Sequence, residues 1–189
     1  MIEKEYKLLT TQKKQFELFR DEFIKTVPLY QCKRRLQVNY YYDTPDFLLW
    51  QNNTVLRARR VRDNLVLQVK TEQAHDSRYR IASEREQPLD KLTLFLSGED
   101  IGLPIAPFYQ WLGELTTDRT RCFVTDGLTV DFDISYYCGK MDYEIEMEYS
   151  SQAEKTAQEL IALFERYAAP NLNNGKYTRF VKAYRKIRA

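Results

Sequence analysis

The chain has 189 residues, of which 43% are hydrophobic and 30% are charged. This apolar content is sufficient for a core and excludes global disorder, and the length suits one domain, which we predict to span residues 1–189. The formal net charge is only +2. The overall charge therefore favours no strongly charged partner, and no block of like charge resembles a nucleic-acid-binding tail.

Three widely spaced cysteines indicate neither a disulfide framework nor a zinc site. They are Cys32, Cys122 and Cys138, an odd number without a CxxC pair. We therefore expect three reduced thiols in a cytoplasmic protein. The segment MIEKEYKLL is charged from its third residue and lacks the apolar stretch of a signal peptide. No run approaches the ~20 apolar residues that span a bilayer, so we expect no membrane partner.

The first half of the chain is predicted to contain a strand, a helix and four further strands. Alternation predicts a strand over residues 2–8, and Phe16, Phe19, Phe23 and Val27 form an apolar stripe that predicts a helix ending before Pro28. Aromatic and β-branched residues predict strands over 36–42, 54–61, 65–71 and 81–87. The second and third of these strands flank a three-residue turn and form a predicted hairpin.

The second half is predicted to begin with two short helices and to end with two longer ones. Residues 90–115 have two helical patterns separated by Gly98, Gly102 and Pro104. Strands are expected over 119–125, 128–136 and 142–149, the first two joined by Asp126-Gly127. Ser151 and Glu154 match a capping box for a helix to about residue 168, and a last helix covers 177–187. About eight hairpin-linked strands with helices indicate an α+β fold on an antiparallel sheet.

Charged residues of the same sign recur two positions apart on the predicted strands. Residues two apart on a strand share a face of the sheet. One face therefore carries repeated charges on six strands: Glu3, Glu5 and Lys7; Arg57 and Arg59; Glu84 and Glu86; Arg119 and Arg121; Asp131 and Asp133; and Glu144, Glu146 and Glu148. A solvated face is the ordinary explanation for one such pair. Like charges side by side repel, however, so the whole set favours a site that holds ligands of both signs.

A metal–polyphosphate complex matches this mixture of charges. Arginine and lysine donate hydrogen bonds to phosphate oxygens, whereas hard divalent cations prefer carboxylate oxygens. Closing the sheet with its charged face inward gives a polar tunnel. A barrel of eight strands is just wide enough for side chains and one small ligand. The sequence thus predicts an enzyme or binding module for a triphosphate in a charged interior.

The ordered charged motifs resemble those of the CYTH, or triphosphate tunnel metalloenzyme, family. The series begins with ExExK at residues 3–7 and YxDT at 41–44, and continues with LRxR at 56–59 and a strand ending in Lys70. Glu84, the pair Arg119 and Arg121, and Asp133 follow, and then ExEx-aromatic at 146–149 and Gly175-Lys176-Tyr177. These motifs extend over nearly the whole chain. The chain is most similar to the small bacterial CYTH proteins that are labelled as adenylate cyclases.

The resemblance implies a closed eight-stranded antiparallel barrel with flanking helices and a set of site residues. Phosphate oxygens would be bound by Lys7, Arg57, Arg59, Lys70, Arg119, Arg121 and Lys176. Mg²⁺ or Mn²⁺ would be bound by Glu3, Glu5, Glu84, Asp133, Glu146 and Glu148. Glu3, Glu5 and Lys7 would be the catalytic residues. Asp131 and Glu144 are alternatives in the late strands, and Glu86 matches the family pattern poorly.

The resemblance leaves three functions open. The first is a divalent-metal-dependent triphosphatase that acts on tripolyphosphate, an organic triphosphate or RNA 5′-triphosphate ends. The second is a class IV adenylate cyclase that converts ATP to cyclic AMP and pyrophosphate. The third is a non-catalytic polyphosphate or nucleotide sensor, which the many carboxylates disfavour. A barrel with exposed aromatic residues could also form a homodimer.

Overall fold

The computed structural model describes residues 4–26, 31–75, 80–166, 169–170 and 174–188. Its helices are α1 (Lys13–Thr26), α2 (Leu48–Gln51), α3 (Glu154–Phe164) and α4 (Lys176–Arg188). Its strands are β1 (Lys4–Thr10), β2 (Cys32–Asp43), β3 (Thr54–Val61), β4 (Asn64–His75), β5 (Arg80–Pro88), β6 (Phe95–Ser97), β7 (Phe108–Thr125), β8 (Leu128–Tyr137), β9 (Lys140–Tyr149) and β10 (Ala169–Pro170).

The chain divides into two compact units. The first unit comprises Met1–Leu36, Ala74–Ile81 and Thr117–Gly175. The second unit comprises Gln37–Gln73, Ala82–Thr116 and Lys176–Ala189. Strands β2, β4, β5 and β7 cross the boundaries between these ranges, so each contributes residues to both units.

The first unit packs two helices on the apolar face of an antiparallel sheet. Strand β1 pairs with β9, which in turn pairs with β8. Phe16, Phe19 and Phe23 of the predicted stripe are buried here, and Val27 lies outside the described residues. The rings of Phe19 and Phe23 lie 4.8 and 5.4 Å from that of Phe164 on α3. Phe132 of β8 is 5.5 Å from Phe23. Because these strands place their apolar side chains under the helices, their alternate residues point to the opposite face.

The second unit is organised around the predicted β3–β4 hairpin, which is confirmed. Strand β3 pairs with β2 on one side and with β4 on the other. Leu56, Ala58 and Leu67 are at most 2% exposed and share a core with Leu96 and Tyr109. Arg57 and Arg59 alternate with these buried residues, so the period-2 pattern places them on the opposite face of β3.

The two helices predicted over residues 90–115 are wrong. Residues 95–97 instead form β6, which pairs with the start of β7 from Phe95 opposite Gln110 to Ser97 opposite Phe108. Phe108, Tyr109 and Trp111 have high strand propensity and an available partner, which outweighs the weak helical spacing. Gly98 belongs to the turn after β6, where a Cβ atom would collide with the carbonyl oxygen of Ala106.

The predicted capping box at the start of α3 is also wrong. Ser151–Ala153 forms a 3₁₀ turn, and neither this turn nor α3 has a side-chain cap hydrogen bond. Ser151 lies inside the turn, so it does not occupy the position before the helix that a capping serine needs. The helix ends at Phe164, whereas its predicted end, near residue 168, lies outside the described residues. The last predicted helix is confirmed as α4.

Two of the three cysteines form a disulfide bond, so the prediction of three reduced thiols is wrong. Cys32 at the start of β2 is bonded to Cys122 of β7, although 90 residues separate them in sequence. Neighbouring strands bring these side chains together, a proximity that sequence spacing cannot indicate. Cys138 is free.

The structure has an antiparallel sheet with flanking helices, as the sequence predicts. Closure of the sheet into an eight-stranded barrel stays a prediction; ten strands are present among the described residues, two of them short. No helix in the described part of the chain is both long enough and apolar enough to cross a membrane.

Candidate functional site

Strand register aligns charged side chains from three strands of the first unit. Lys7 of β1 lies opposite Glu146 of β9, and Glu146 lies opposite Asp131 of β8. Glu5 lies opposite Glu148 in the next row on the same face. Lys7, Asp131 and Glu146 are at most 8% exposed. Buried charges are costly unless they are paired, so each of them must have partners nearby.

Lys7 joins two of these carboxylates. Its Nζ atom is 2.8 Å from Oε1 of Glu5 and donates a hydrogen bond of 2.8 Å to Oε1 of Glu146. A single ammonium group thus holds a carboxylate from the first strand beside one from the ninth. This geometry places Glu5 and Glu146 in one local site.

Arg119 of β7 is surrounded by carboxylates. Its guanidinium forms a bidentate pair with Asp133 through Nε (2.7 Å) and Nη2 (2.6 Å). Nη1 is 2.5 Å from Oδ2 of Asp131, and Nη2 is 2.5 Å from Oε2 of Glu146. Burial alone would lower the pKa of Arg119, but the three carboxylates outweigh it and raise the pKa well above its ordinary value. Arg119 therefore remains charged and acts as counter-ion to the acids.

Arg121 makes the same type of contact one row further along β7. Its Nε and Nη2 atoms donate to the two oxygens of Asp131 at 2.6 and 2.5 Å, and Nη2 also donates to Glu148 at 3.0 Å. Burial raises the pKa of Asp131 and of Glu148, although the arginines oppose this. The fold thus holds these two acids in an environment that disfavours their ionised form.

Three buried carboxylates of the first unit are close enough to share one cation. Oxygens of Asp133, Glu144 and Glu146 lie within 4.8 Å of one another, and these residues are at most 4% exposed. Carboxylate oxygens are the donors that Mg²⁺ and Mn²⁺ prefer, so this set fits such an ion. It contains two of the predicted metal ligands and Glu144, an alternative left open by the sequence.

Carboxylates of the first unit gather around three cations. We call Glu5, Asp131, Asp133, Glu144, Glu146 and Glu148 the acidic set. Lys7, Arg119 and Arg121 contact members of this set. A divalent cation bound among these oxygens would offset the repulsion between neighbouring carboxylates.

The second unit orients two arginines with neutral amides. Arg57 donates from Nε to Oε1 of Gln68 at 2.7 Å, and Arg59 donates from Nε to Oδ1 of Asn39 at 3.0 Å. Gln68 in turn donates to Glu86. An amide oxygen directs a guanidinium without cancelling its charge, which is the arrangement that an anion-binding arginine requires. We call Arg57, Arg59, Lys70 and Lys176 the cationic set.

Helix α4 contributes further cations to the second unit. Lys176 at its first residue is 9% exposed, and Arg179, one turn later, is 6% exposed. Lysine and arginine are rarely buried to this degree. Residues three apart share a helix face, so α4 presents two buried cations on one side.

The predicted site residues are thus divided between the units. Lys7, Arg119, Arg121, Glu5, Asp133, Glu146 and Glu148 lie in the first unit, and Arg57, Arg59, Lys70, Lys176 and Glu84 lie in the second. Glu3 lies outside the described residues. Glu84 is an exposed residue 3.6 Å from Nη2 of Arg57, so in the second unit it pairs with a cation and not with other acids.

Some residues near the predicted site residues were not identified from the sequence. Asn39, Gln68 and Arg179 were not predicted, although Gln68 is opposite Arg57 in the hairpin and Asn39 is opposite Arg59. Polar residues at alternating positions of β2 and β4 are the signal that could have identified the two amides. Arg179 could have been found from its three-residue spacing to Lys176.

A family model described as a CYTH domain matches residues 1–175 of the chain. This match includes all strands from β1 to β10 and ends one residue before Lys176, where α4 begins. A comparison with curated proteins finds no significant match.

Solved structures share the fold over nearly the whole chain. HpAC1 from Hippeastrum, an adenylyl cyclase candidate with a dominant triphosphatase activity, is 20% identical with a TM-score of 0.71, and the alignment covers 96% of each chain. A protein from Bacillus halodurans named as an adenylate cyclase is 26% identical with a TM-score of 0.69, over 95% of this chain and 97% of that one. The mimivirus capping enzyme triphosphatase is 13% identical with a TM-score of 0.55, over 86% and 88%.

Proposed function

The chain belongs to the CYTH family, and on that premise we propose that it is a divalent-metal-dependent triphosphatase. Its substrate is tripolyphosphate or an organic triphosphate, with RNA 5′-triphosphate ends as a further member of the same chemical class. The proposal includes the single domain over residues 1–189 and the closed eight-stranded barrel that the family resemblance implies.

The buried carboxylates of Asp133, Glu144 and Glu146 are the observation that carries the proposal. Three acids within 4.8 Å of one another need a cation to offset their repulsion. Arg119 contacts Asp133 and Glu146, and Lys7 contacts Glu146 as well. A protein that only binds an anion gains nothing from such a cluster, whereas a hydrolase that uses Mg²⁺ or Mn²⁺ needs it.

The cationic set supports the phosphate side of the proposal. Phosphoryl transfer depends mainly on positioning and on neutralising the charge of the phosphoryl oxygens. Arg57 and Arg59, directed by Gln68 and Asn39, have the planar geometry for bidentate contacts with those oxygens. Lys70 and Lys176 are assigned to the same ligand as point charges, and Arg119 and Arg121 as counter-ions shared with the acidic set.

The proposed reaction is attack of water on a terminal phosphorus. The new P–O bond forms as the bond to the leaving diphosphate breaks, and a carboxylate accepts the proton that the water loses. Glu5 and Glu146 are assigned to this water because Lys7 holds both. The divalent ion, when bound, lowers the pKa of water and neutralises phosphate charge.

A substrate panel tests the function. Tripolyphosphate, thiamine triphosphate, ATP and 5′-triphosphorylated RNA are each incubated with Mg²⁺ or Mn²⁺, and phosphate, pyrophosphate and cyclic AMP are quantified. The proposal predicts phosphate release from at least one substrate, and EDTA should abolish it. Cyclic AMP with pyrophosphate from ATP would instead establish the cyclase, the activity named for the Bacillus halodurans relative. If every substrate binds and none is converted, the protein is instead the non-catalytic polyphosphate or nucleotide sensor.

A further inference from the structure

Two family motifs contact each other through residues of the second unit, and the proposed chemistry gives a role only to Lys176 among their residues. The first is Tyr41-x-Asp43-Thr44 at the end of β2, and the second is Gly175-Lys176-Tyr177 at the start of α4. The hydroxyl of Tyr177 donates to Oδ2 of Asp43 at 2.6 Å. The ring of Tyr41 lies 4.9 Å from that of Tyr177. Tyr41 and Asp43 of the first motif therefore both contact Tyr177, the residue beside Lys176.

Asp43 is held in place by hydrogen bonds to both of its carboxylate oxygens. It is fully buried, and its Oδ1 atom accepts from the backbone N–H groups of Thr44 at 2.7 Å and Leu49 at 2.8 Å. Oδ2 accepts from the N–H of Trp50 at 3.0 Å in addition to the Tyr177 hydroxyl. Four donors thus satisfy one carboxylate, which ties the end of β2 to α2 and to α4.

The first turn of α4 needs such an anchor. The first N–H groups of a helix have no partner within the helix, so this turn loosens most easily. The Tyr177 hydroxyl is well suited to hold it, since burial and the neighbouring Asp43 raise the pKa of Tyr177 well above its ordinary value, which keeps the proton on the oxygen. A second contact, between the rings of Tyr41 and Phe180 at 5.0 Å, holds the next turn.

We propose that the Asp43–Tyr177 hydrogen bond is a positioning device that holds Lys176 where it binds substrate phosphate. The inference rests on the proposed function, because it takes Lys176 as a phosphate ligand. Tyr177 itself acts only through its neighbour. Without the bond, the first turn samples more positions, so Lys176 spends less time in the binding geometry and the substrate binds more weakly.

The test compares two tyrosine-to-phenylalanine variants that each delete one buried hydroxyl. Tyr177→Phe removes the bond to Asp43. The matched control is Tyr42→Phe, because the Tyr42 hydroxyl donates at 2.8 Å to the carbonyl oxygen of Thr93 and its side chain is 1% exposed. The two variants should lose similar thermal stability. Only Tyr177→Phe should raise KM and the dissociation constant for tripolyphosphate, by about 3- to 10-fold, with kcat changed by less than about twofold.

A double-variant cycle separates positioning from general destabilisation. In a Lys176→Ala background, Tyr177→Phe should weaken tripolyphosphate binding no further, since the residue through which it acts is gone. An equal loss in both backgrounds, or an equal effect of Tyr42→Phe, would overturn the inference. Measurements are made at a temperature at which all variants are folded by circular dichroism.

Binding and turnover together distinguish this inference from the proposed function. If tripolyphosphate binds with the expected coupling but no substrate of the panel is hydrolysed, the triphosphatase is refuted and the positioning role is supported. Hydrolysis without coupling between Lys176 and Tyr177 refutes only the positioning role. Failure of the wild-type protein to bind tripolyphosphate or any other triphosphate of the panel refutes both, because Lys176 then has no phosphate to hold.

Discussion

The charged side chains of the two units have different partners. In the first unit, Arg119 and Arg121 are each paired with at least two carboxylates. In the second unit, Arg57 and Arg59 each donate a hydrogen bond to a side-chain amide. The first arrangement suits a ligand that is a cation, and the second suits a ligand that is an anion.

The residues suited to cations and those suited to anions therefore come from different strands. Acids come from β1, β8 and β9, and arginines directed by amides come from β3. Carboxylates suit a divalent cation, and arginines suit phosphate oxygens. A substitution in one unit should therefore affect mainly the ligand that the side chains of that unit suit.

The largest effect is expected from Glu146→Gln. This substitution keeps the shape of the side chain but removes the charge that contacts Lys7, Arg119 and the shared carboxylate cluster. We expect kcat to fall by more than about 100-fold with saturating Mg²⁺, because the cation is lost or misplaced. A rate near that of the wild type at saturating metal would remove Glu146 from the mechanism, and Glu5→Ala gives an independent test of the same set.

Arg59→Ala should have the next largest effect, and mainly on KM. Loss of a charged hydrogen-bond donor to phosphate is expected to raise KM by about 10- to 100-fold. The matched control is Arg60→Ala, because Arg60 is the next residue of β3, is exposed, and points to the other face. An unchanged KM for Arg59→Ala, or an equal increase for Arg60→Ala, would contradict the phosphate role of the second unit.

Metal binding without substrate gives a smaller but more selective comparison. Glu144→Gln should weaken Mn²⁺ binding by about 10-fold or more, since it removes one oxygen donor from the buried cluster. Arg57→Ala, in the second unit, should leave Mn²⁺ affinity unchanged. Isothermal titration with Mn²⁺ alone measures both. Weaker Mn²⁺ binding by Arg57→Ala would contradict the prediction that only the acidic set determines the affinity for the metal.

The strand pairings explain how much of this was accessible from the sequence. Period-2 alternation placed Glu144, Glu146 and Glu148 on one face, and the register with β1 and β8 bears this out. Alternation alone left open which acids converge, because each of the three is equally spaced from its neighbour. The register settles the rows: Glu146 is opposite both Lys7 and Asp131, whereas Glu144 is opposite Asp133.

Features that depend on non-local contacts were beyond prediction. The Cys32–Cys122 bond and the Asp43–Tyr177 hydrogen bond join residues 90 and 134 positions apart. The segment 90–115 was assigned to helices because short apolar runs fit either period, and only pairing of β6 with β7 decides between them. Local patterns thus located the charged strands, whereas their partners came from the tertiary structure.

The smallest expected effect is on thermal stability. Removing the charge of Glu148 should stabilise the folded protein, whereas the substitutions above should weaken activity or ligand binding. Burial raises the pKa of Glu148 in the folded protein, although Arg121 opposes it. For a group whose folded pKa is raised, the stability it contributes is fully present below the unfolded pKa and is lost as the pH rises through the folded pKa. Glutamine is neutral at every pH and does not incur this loss.

Glu148→Gln should therefore raise the thermal unfolding midpoint relative to the wild type in the presence of EDTA, and the difference should grow from acid to neutral pH. The same substitution at Glu159, which is exposed on α3, serves as the control and should show no such trend. A midpoint that falls at neutral pH would mean that the pair with Arg121 outweighs the cost of burial. The acidic set would then stabilise the fold without a cation, and the contrast between the two units would lose its thermodynamic basis.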